Sequence, residues 1–301
     1  MTAEIVPVAP AVETPFRRFV AEFCASRLAV AGLVGLSIIL LVAIFAPWIA
    51  PQDPYDLRQL DVLDGRLPPL SKSMGGKTYW LGTDDQGRDM LSGIMYGLRT
   101  SLLVGVGSSF FAMLIGMAAG LTAAYVGGAI ETLIMRIVDI QLSFPAILIA
   151  LILLAVLGQG VDKIMIALVA VQWAYYARTV RGTALVERRK EYIEAARCLA
   201  LGKSRIVFRH LLPNCLPPLI VVNTVLVAGA IALEATLSFL GLGLPITKPS
   251  LGLLIANGFA YMLSGKYWIS FFPGVALLAT IVCINLVGDQ LRDVLNPRLQ
   301  K

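Results

Sequence analysis

The sequence predicts an all-α integral membrane protein, and its composition and charge pattern support this class. Hydrophobic residues make up 57% of the 301 residues and charged residues only 15%, whereas soluble domains carry about 25% charged residues. Several long stretches contain no charged side chain, and the segments between them differ in Lys and Arg content. One water-soluble core does not bury this much apolar surface. The composition therefore excludes a disordered chain and argues against a soluble enzyme.

The charge-free stretches predict six transmembrane helices. A spanning helix needs about 20 mostly apolar residues, because each residue adds 1.5 Å across a hydrocarbon core of about 30 Å. Leu28–Trp48 meets this length, whereas Ile164–Ala177 is shorter, and we expect Arg178 to extend that span by reaching toward the interface. The predicted spans are residues 28–50, 100–125, 137–158, 164–182, 215–240 and 269–289.

Proline and glycine refine these predictions. Pro47 and Pro51 are expected to end the first span, because proline lacks the backbone N–H that a helix requires. Pro145 is expected to kink the third span and free a carbonyl group. Small residues let helices approach closely in lipid. The second span is therefore predicted to pack closely at four glycines, Gly105, Gly107, Gly116 and Gly120.

The distribution of Lys and Arg predicts that both termini lie in the cytoplasm, because cytoplasmic loops of membrane proteins carry an excess of these residues. With the N-terminus inside, 16 of the 25 Lys and Arg residues fall in cytoplasmic segments. The predicted organisation is a cytoplasmic segment 1–27, a first span 28–50, a periplasmic loop 51–97, a five-span core 98–290 that contains a cytoplasmic loop 183–213, and a cytoplasmic tail 291–301.

The sequence offers no constellation for catalysis or metal binding. The four cysteines form no CxxC pair and are read as small apolar fillers. His210 is the only histidine, so a metal site would lack histidine partners. Two Gly-Lys-Ser/Thr sequences resemble the end of a P-loop, but Ser71 and Arg197 stand where its first glycine is required. The sequence therefore offers no P-loop for nucleotide binding.

The segment 178–213 is the most informative part of the sequence, with a net charge of +6. Within it, Tyr192, Ala195, Ala196 and Leu199 recur at helical spacing, and Gly202 is a plausible helix stop. This pattern predicts a short cytoplasmic helix with small side chains that docks into a groove. An alternative fits the spacing equally well: a helix that lies on the membrane surface and holds Lys and Arg against anionic lipid.

The same segment resembles the EAA loop of binding-protein-dependent ABC importer permeases. Glu194-Ala195-Ala196 and Leu212-Pro213 fall at the positions of the family pattern. Ala200 stands where the pattern has glycine, which leaves the geometry of the helix end open, and Gly202 follows two residues later.

The resemblance covers nearly the whole chain, and it is specific to the C-type permease subunits of the dipeptide, oligopeptide and nickel class. Leu251 stands in place of the usual Trp, and Gln290 in place of the usual Gly. The segments that carry the resemblance are Leu81–Asp89, Tyr96–Leu102, Glu234–Gly243, Asn285–Asp293 and Asn296–Arg298.

The resemblance implies a non-catalytic subunit in a bacterial inner membrane. Such a permease pairs with a B-type permease, sits on two cytoplasmic ABC ATPase subunits and receives substrate from a periplasmic binding protein. It binds no cofactor, metal or nucleic acid itself, and ATP and magnesium belong to the ATPase subunits. Coupling to the ATPases is assigned to the EAA loop, with Glu194, Ala195, Ala196, Leu199, Ala200, Gly202, Leu212 and Pro213 as the expected residues.

The substrate stays open at this stage, because the binding protein does most of the selection in this class. Dipeptides and oligopeptides are the first expectation, and glutathione or nickel chelates are the alternatives. An ion-driven secondary transporter is a rival class, but it would need several ionisable residues within the membrane. A membrane subunit without transport activity is a second rival.

Two further groups of residues are candidates for function. Glu234 lies within a predicted span, where an ionisable residue is costly, so it is assigned to an outer gate or a structural role, with direct substrate contact as the alternative. The acidic outer loop 51–97 is most simply a solvated face. Its candidates for contact with the binding protein are Asp84, Asp85, Arg88 and Asp89.

Overall fold

A computed structural model describes residues 14–295, except Met74 and Ile246. The predicted motif Asn296–Arg298 and residues 1–13 of the segment 1–27 lie outside the described residues. The helices are α1 (Pro15–Cys24), α2 (Arg27–Ile49), α3 (Met90–Val126), α4 (Gly128–Ser143), α5 (Ala146–Leu157), α6 (Val161–Glu187), α7 (Glu191–Cys198), α8 (Lys203–Arg205), α9 (Leu212–Phe239), α10 (Leu251–Phe259) and α11 (Trp268–Leu295).

The first predicted span corresponds to α2. Ser26 caps its N-terminus, because its Oγ accepts a hydrogen bond of 3.3 Å from the backbone N–H of Ala29. Pro47 lies inside the helix and does not end it, since the helix continues to Ile49. The helix stops before Pro51, whose ring disfavours helical geometry in the preceding residue, and that residue is extended.

The outer loop folds into a small unit of its own. Two 3₁₀ turns, Leu57–Gln59 and Val62–Asp64, precede a two-stranded hairpin of β1 (Ser71–Lys72) and β2 (Thr78–Tyr79). Ser71 pairs with Tyr79 across the antiparallel strands. The indole of Trp268, at the start of α11, donates a hydrogen bond of 3.3 Å to the carbonyl of Thr83. This bond fixes the loop against the helical core.

Helices α3 and α6 pack against each other through glycine, as the sequence predicts. A Cβ on Gly116 would lie 2.5 Å from the carbonyl oxygen of Trp173, and one on Gly120 would lie 2.6 Å from that of Ala177. Gly105 lies against Ile231 on α9, and Gly107 lies against Met165 on α6. Gly116 and Gly120 therefore allow close contact between helix backbones, and Gly105 and Gly107 make room for side chains of neighbouring helices, which confirms that α3 packs closely at these glycines.

The third predicted span is broken rather than kinked. Helices α4 and α5 meet at an angle of 93° around Phe144 and Pro145. Phe144 has an extended conformation, which the ring of the following proline favours. A continuous helix across 137–158 is therefore wrong. The physical reason is that Pro145 supplies no N–H for a continuing helix and begins a new one.

In the described part of the chain, four helical segments are long and apolar enough to cross a membrane: α2, α3, the segment Lys203–Phe239 and α11. The bent α4–α5 pair raises this number to five if it counts as one span. Helix α6 has 27 residues but carries charged side chains toward both ends. The chain is thus a mainly helical multi-pass membrane protein.

The connection between α6 and α9 is more ordered than a loop. Helix α6 continues to Glu187, past the predicted start of the loop at residue 183. Helices α7 and α8 follow, and a π-helical segment, Ile206–Leu211, runs directly into α9. The basic segment is therefore helical for most of its length.

Candidate functional site

Helix α7 contains three of the predicted EAA residues, Glu194, Ala195 and Ala196, and it presents two different faces. Ile193 and Ala196 point inward and pack with Ile206, with relative exposures of 1%, 4% and 3%. Ala195 and Leu199 point away from the protein, and Leu199 is 75% exposed. The sequence grouped Ala196 with the outward residues, but the structure places it in the core. The outward apolar edge of a charged segment has no partner among the described residues.

The end of α7 has a defined geometry at the position where the family pattern has glycine. Ala200 has a φ of 52°, in the left-handed region that favours glycine. The N–H of Leu201 donates to the carbonyl of Ala196 at 3.1 Å, and the N–H of Ala200 donates to that of Arg197 at 2.9 Å. These two bonds form a Schellman motif with Ala200 at C′. This position therefore requires a left-handed backbone conformation, which suits glycine and which Ala200 adopts under strain.

Gly202 does not stop α7, contrary to the sequence prediction. Its φ is −59°, and it is the N-cap of the next helix, α8. No atom lies within 4 Å of the place where its Cβ would be. Neither its conformation nor its surroundings require glycine, because the chain has already turned at Ala200.

A hydrogen-bond network joins α7 to α6 and α9. The carboxylate of Glu187, at the end of α6, accepts bonds of 2.7 Å from Lys190 Nζ and from the Tyr192 hydroxyl. Asn214 Nδ2, on α9, donates to the same hydroxyl at 3.2 Å and to the carbonyl of His210 at 2.7 Å. Burial and the neighbouring Glu187 carboxylate raise the pKa of Tyr192 to about 12, so its hydroxyl stays protonated. Three helices therefore meet at Tyr192.

The sequence did not reveal this junction. Glu187 is only 8% exposed although it lies in the most basic segment of the chain. Tyr192 was identified only as part of an apolar stripe, and Asn214 was not singled out. The sequence does show a carboxylate before α7, Glu187, and an amide after it, Asn214. These two residues are 27 positions apart, so the sequence alone does not indicate that they meet.

Arg188 connects the same region to α3. Its Nη1 donates a bond of 2.7 Å to the carbonyl of Ala124, in the last turn of α3. Its guanidinium group lies 5.9 Å from the centre of the Tyr125 ring. A cation at a helix C-terminus donates to a free carbonyl and interacts favourably with the partial negative charge of the helix dipole. Motion of the α6–α7 connection would therefore also act on α3.

The start of α9 contains the last two EAA residues. Leu212 is the first residue of α9, and Pro213 is the second, where a missing N–H costs little. Pro217 and Pro218 lie further inside the helix and leave the carbonyls of Pro213 and Asn214 without their usual helical donors.

A cavity of about 1040 Å³ lies beside these carbonyls, between α6, α9 and α11. Charged and amide side chains line it together with apolar ones. The charged and amide members are Glu187, Asn214, Asp289 and Arg292, and the hydroxyl-bearing members are Tyr175 and Thr183. The cavity therefore combines apolar walls with groups able to bind polar parts of a solute.

Glu234 is completely buried and holds two long helices together. Its Oε2 accepts a bond of 2.9 Å from the hydroxyl of Ser101 on α3, and its Oε1 accepts one of 2.8 Å from Ser238 on α9. Ser250, the N-cap of α10, lies close to the carboxylate. Glu234 lies outside the cavity described above. This cluster links α3, α9 and α10, in agreement with a structural role.

Two polar side chains of α6, Gln172 and Tyr176, join it to neighbouring helices within the core. Gln172 accepts a bond of 3.1 Å from Ser109 on α3 and donates one of 3.1 Å to the carbonyl of Leu226 on α9. The Tyr176 hydroxyl donates a bond of 2.8 Å to Asn223 on α9. Buried polar groups that are satisfied in this way specify one arrangement of the helices.

Three of the four residues proposed for contact with a binding protein are buried. Asp84, Arg88 and Asp89 have relative exposures of 0%, 2% and 1%. Asp89 caps α3, because its carboxylate accepts bonds from the N–H and the hydroxyl of Ser92. Direct contact through these three residues is therefore at odds with the structure, whereas Asp85 is partly exposed.

Asp84 organises the turn that leads into α3. Its Oδ1 accepts bonds of 2.8 Å from the backbone N–H groups of Gln86 and Arg88. Burial raises the pKa of its carboxyl to about 6, although the two N–H bonds and the Arg88 charge oppose this shift. The sequence proposed Asp84 for contact with a binding protein, whereas its observed hydrogen bonds serve the fold of the loop.

Comparisons with known proteins agree with this architecture. A family described as binding-protein-dependent transport system inner membrane component matches residues 112–301. The chain belongs to this family. The N-terminal TM domain of oligopeptide transport permease C matches residues 14–69. The resemblance drawn from the EAA loop and the other motifs is thus confirmed at the level of the family.

Relatives of this inner membrane component cover its whole length. The dipeptide transport system permease protein DppC of Escherichia coli (strain K12) is 40% identical over 100% of this chain and 99% of the relative. The di/tripeptide transport system permease protein DppC of Pseudomonas aeruginosa (strain UCBPP-PA14) is 37% identical over 95% of this chain and 93% of the relative.

A solved structure shares the fold of this inner membrane component. A chain of the MetNI methionine ABC transporter, solved in inward-facing conformations, matches with a TM-score of 0.56 and 22% identity. The match covers 69% of this chain and 98% of that chain. It shows the fold of an ABC importer permease for most of the molecule.

Proposed function

We propose that this chain is the C-type permease subunit of an ATP-driven importer and forms half of the translocation path for di- or oligopeptides. The observation that carries the proposal is the outward edge of α7, which is apolar, exposed and rigidly tied to α6 and α9 through Tyr192. Conformational change spreads through rigid elements that bind differently in two states. An ATPase that grips α7 would therefore move the helices that border the cavity.

The family and its named relatives support the partners in this proposal. The chain pairs with a B-type permease, rests on two cytoplasmic ABC ATPase subunits and receives substrate from a periplasmic binding protein. It is non-catalytic and binds no cofactor, and ATP and magnesium act on the ATPase subunits. The EAA residues Glu194, Ala195 and Leu199 lie on the exposed surface of α7 and are assigned to direct contact. Ala196, Ala200, Gly202, Leu212 and Pro213 shape that surface.

Peptides are the substrate class that the relatives favour, since the similar permeases are named for dipeptide or di/tripeptide transport. The cavity between α6, α9 and α11 has apolar walls and charges of both signs, from Glu187, Asp289 and Arg292. These groups suit a zwitterionic backbone with variable side chains. Glutathione and nickel chelates are the alternative substrates within the same importer class.

The topology of this proposal has six spans, with both termini in the cytoplasm of a bacterial inner membrane. Four helical segments and the bent α4–α5 pair supply five spans, and helix α6 is proposed as the sixth. At 27 residues it measures about 40 Å, enough to cross the bilayer. Two of its charges have partners on α4, because Arg178 pairs with Asp139 and Arg181 pairs with Glu131. Such pairing lowers the cost of charges near a membrane boundary.

Two outer features complete the proposal. Glu234 ties α3, α9 and α10 at their outer ends and acts as a structural element of the outer gate. For the binding protein, Asp85 remains the candidate contact among the four predicted residues because it is partly exposed. Asp84, Arg88 and Asp89 support the fold behind it.

The conservative substitution Tyr192→Phe tests coupling. It removes the hydroxyl that joins Glu187 to Asn214 and leaves the ring in place. We expect the assembled importer in vesicles to lose at least half of its ATP-driven uptake while the ATPase subunits continue to hydrolyse ATP. Tyr267→Phe is the matched control, since Tyr267 is exposed on the outer side and contacts neighbours only through its ring.

Two other measurements separate the proposal from its rivals. Glu194→Ala should weaken assembly with the ATPases or reduce uptake, and unchanged assembly and uptake would remove α7 from coupling. Uptake that follows an imposed ion gradient without ATPase subunits would identify a secondary transporter. A membrane subunit without transport would show neither form of uptake.

A further inference from the structure

Helix α1 separates apolar side chains from charged ones. Its apolar residues recur at the spacing of three and four that places them on one side of a helix. The charged residues lie on the remaining surface, where Arg18 Nε donates a bond of 2.7 Å to Glu22. The apolar side consists of Phe16, Phe19, Val20 and Phe23.

The described residues cover only one end of this apolar side. Phe23 is 7% exposed, so it belongs to the core, and Phe19 is partly buried. Phe16 and Val20 are 76% and 40% exposed. A phenylalanine and a valine therefore stand uncovered on the same side of a helix that the rest of the chain holds in place.

Two connections fix the position of α1. Only Ala25 and Ser26 separate α1 from α2, which is among the helices apolar enough to cross a membrane. In addition, Gln290 Nε2, on α11, donates a bond of 3.0 Å to the carbonyl of Glu22. Helix α1 therefore lies beside the start of α2 and the last turns of α11, two helices that are long and apolar enough to cross a membrane. Glutamine at 290, where related permeases usually have glycine, thus has a defined role in this chain.

We propose that α1 is an interfacial anchor that lies on the bilayer surface, with Phe16 and Val20 inserted among the acyl chains and Arg17 directed to the phosphate groups. A helix of ten residues measures about 15 Å, too short to span the bilayer. Its segregation of phenylalanine and valine from arginine is typical of helices that lie in the interface. The proposal goes beyond transport and does not depend on the proposed coupling.

The bilayer is the occupant that the geometry favours over a protein partner. Val20 and Phe16 lie five and nine residues before Ala25, which is about 8 and 14 Å along a helix, so the lipid that surrounds α2 is close to both side chains. Arg17 is next to Phe16, at the edge of the apolar side, where its charge suits the anionic groups of phospholipids. The same surface would also be open to a protein partner in water. A protein partner is therefore an outcome that the test must distinguish.

Spin labels on the full chain test the proposal. Cys24 and Cys198, which are exposed, are first replaced by Ser, and the label is attached at Phe16→Cys or, as the matched control, at Arg18→Cys. Positions 16 and 18 lie about 200° apart around a helix. The chain is reconstituted in vesicles of phosphatidylethanolamine and phosphatidylglycerol, alone and in the assembled importer. Accessibility to oxygen, which concentrates in lipid, is compared with accessibility to a water-soluble nickel chelate.

We expect the label at position 16 to favour oxygen several-fold over the nickel chelate, and the label at position 18 to show the reverse, both in the chain alone and in the assembled importer. Equal accessibility at the two positions would overturn the proposal. A label at position 16 that assembly shields from both reagents would also overturn it, because a partner subunit would then be the occupant.

Discussion

The hydroxyl of Ser101 donates a hydrogen bond of 2.9 Å to the carboxylate of Glu234, across 133 residues of sequence. This bond joins α3 to α9 in the buried interior of the protein. Ser238 and Ser250 occupy the remaining positions around the carboxylate. A charged side chain that is costly in lipid thus becomes a joint between three helices.

Removal of the Glu234 carboxylate should destabilise the protein. Glu234→Ala leaves buried hydroxyl groups without an acceptor, so we expect a loss of about 1–3 kcal/mol, measured as a lower unfolding temperature in detergent. Glu234→Gln keeps one acceptor oxygen and should cost less. Normal uptake by the glutamine variant would assign Glu234 to structure alone, whereas a fall in uptake at unchanged stability would assign it to the gate.

The strained end of α7 should respond to glycine. Ala200→Gly relieves a left-handed conformation that costs an L-residue about 1–2 kcal/mol, and it loses about 0.5–1 kcal/mol through the more flexible unfolded chain. We expect a net gain in the stability of α7, seen as slower proteolysis of the basic segment. Gly202→Ala is the matched control and should not protect the segment in the same way, since Gly202 is neither strained nor crowded. Faster cleavage of Ala200→Gly would contradict the Schellman assignment.

The outer loop should be more stable at acidic pH because of Asp84. Its pKa is about 6 in the folded chain against an ordinary value of 3.8, so the folded state binds the proton more tightly. This contribution is fully present below about pH 4 and is lost as the pH rises through about 6. Asp84→Asn should remove this pH dependence of the unfolding temperature. Asp61→Asn, at an exposed aspartate that also accepts a backbone bond, should leave it unchanged.

Close packing of α3 against α6 should fail when Gly116 acquires a methyl group. Gly116→Ala places a Cβ 2.5 Å from the carbonyl oxygen of Trp173, so the helices must separate. We expect a loss of about 1–3 kcal/mol, measured by thermal unfolding in detergent. Gly274→Ala, also within a helix, meets no atom within 4 Å and should leave the stability unchanged or slightly higher. Equal effects of the two substitutions would show that helix propensity, rather than contact, governs both.

Much of the fold follows from local features of the sequence. Charge-free length located the apolar helices, and the glycines of α3 indicated where it packs. The sequence was less informative about the effect of a single proline within a long apolar stretch. Pro145 was expected to bend one span, yet the extended Phe144 and the 93° angle show two helices. Pro47 was expected to end α2, but the helix continues to Ile49. The missing N–H of Pro47 leaves only the carbonyl of Ala43 without its helical donor, so the last turn can still form.

The candidate site shows the same division. The positions of Glu194, Ala195 and Ala196 in a short helix follow from spacing, which also predicts one apolar stripe. The structure turns Ala196 inward and Leu199 outward, because the side of α7 that packs is decided by Ile206 and Tyr125 from other helices. For the same reason the burial of Asp84 and Arg88 was not foreseen: a cluster of charges in a loop looks solvated until the loop is folded.

The sequence by itself determined that the chain is a helical membrane protein, where its apolar helices lie and which motifs it shares with its family. These properties depend on residues that are near one another in the chain. Only the tertiary structure decided that Glu187, Tyr192 and Asn214 meet, that Ser101 satisfies Glu234 and that Gln290 holds α1. Hydrogen bonds between distant residues depend on how helices pack, and hydropathy describes each helix alone.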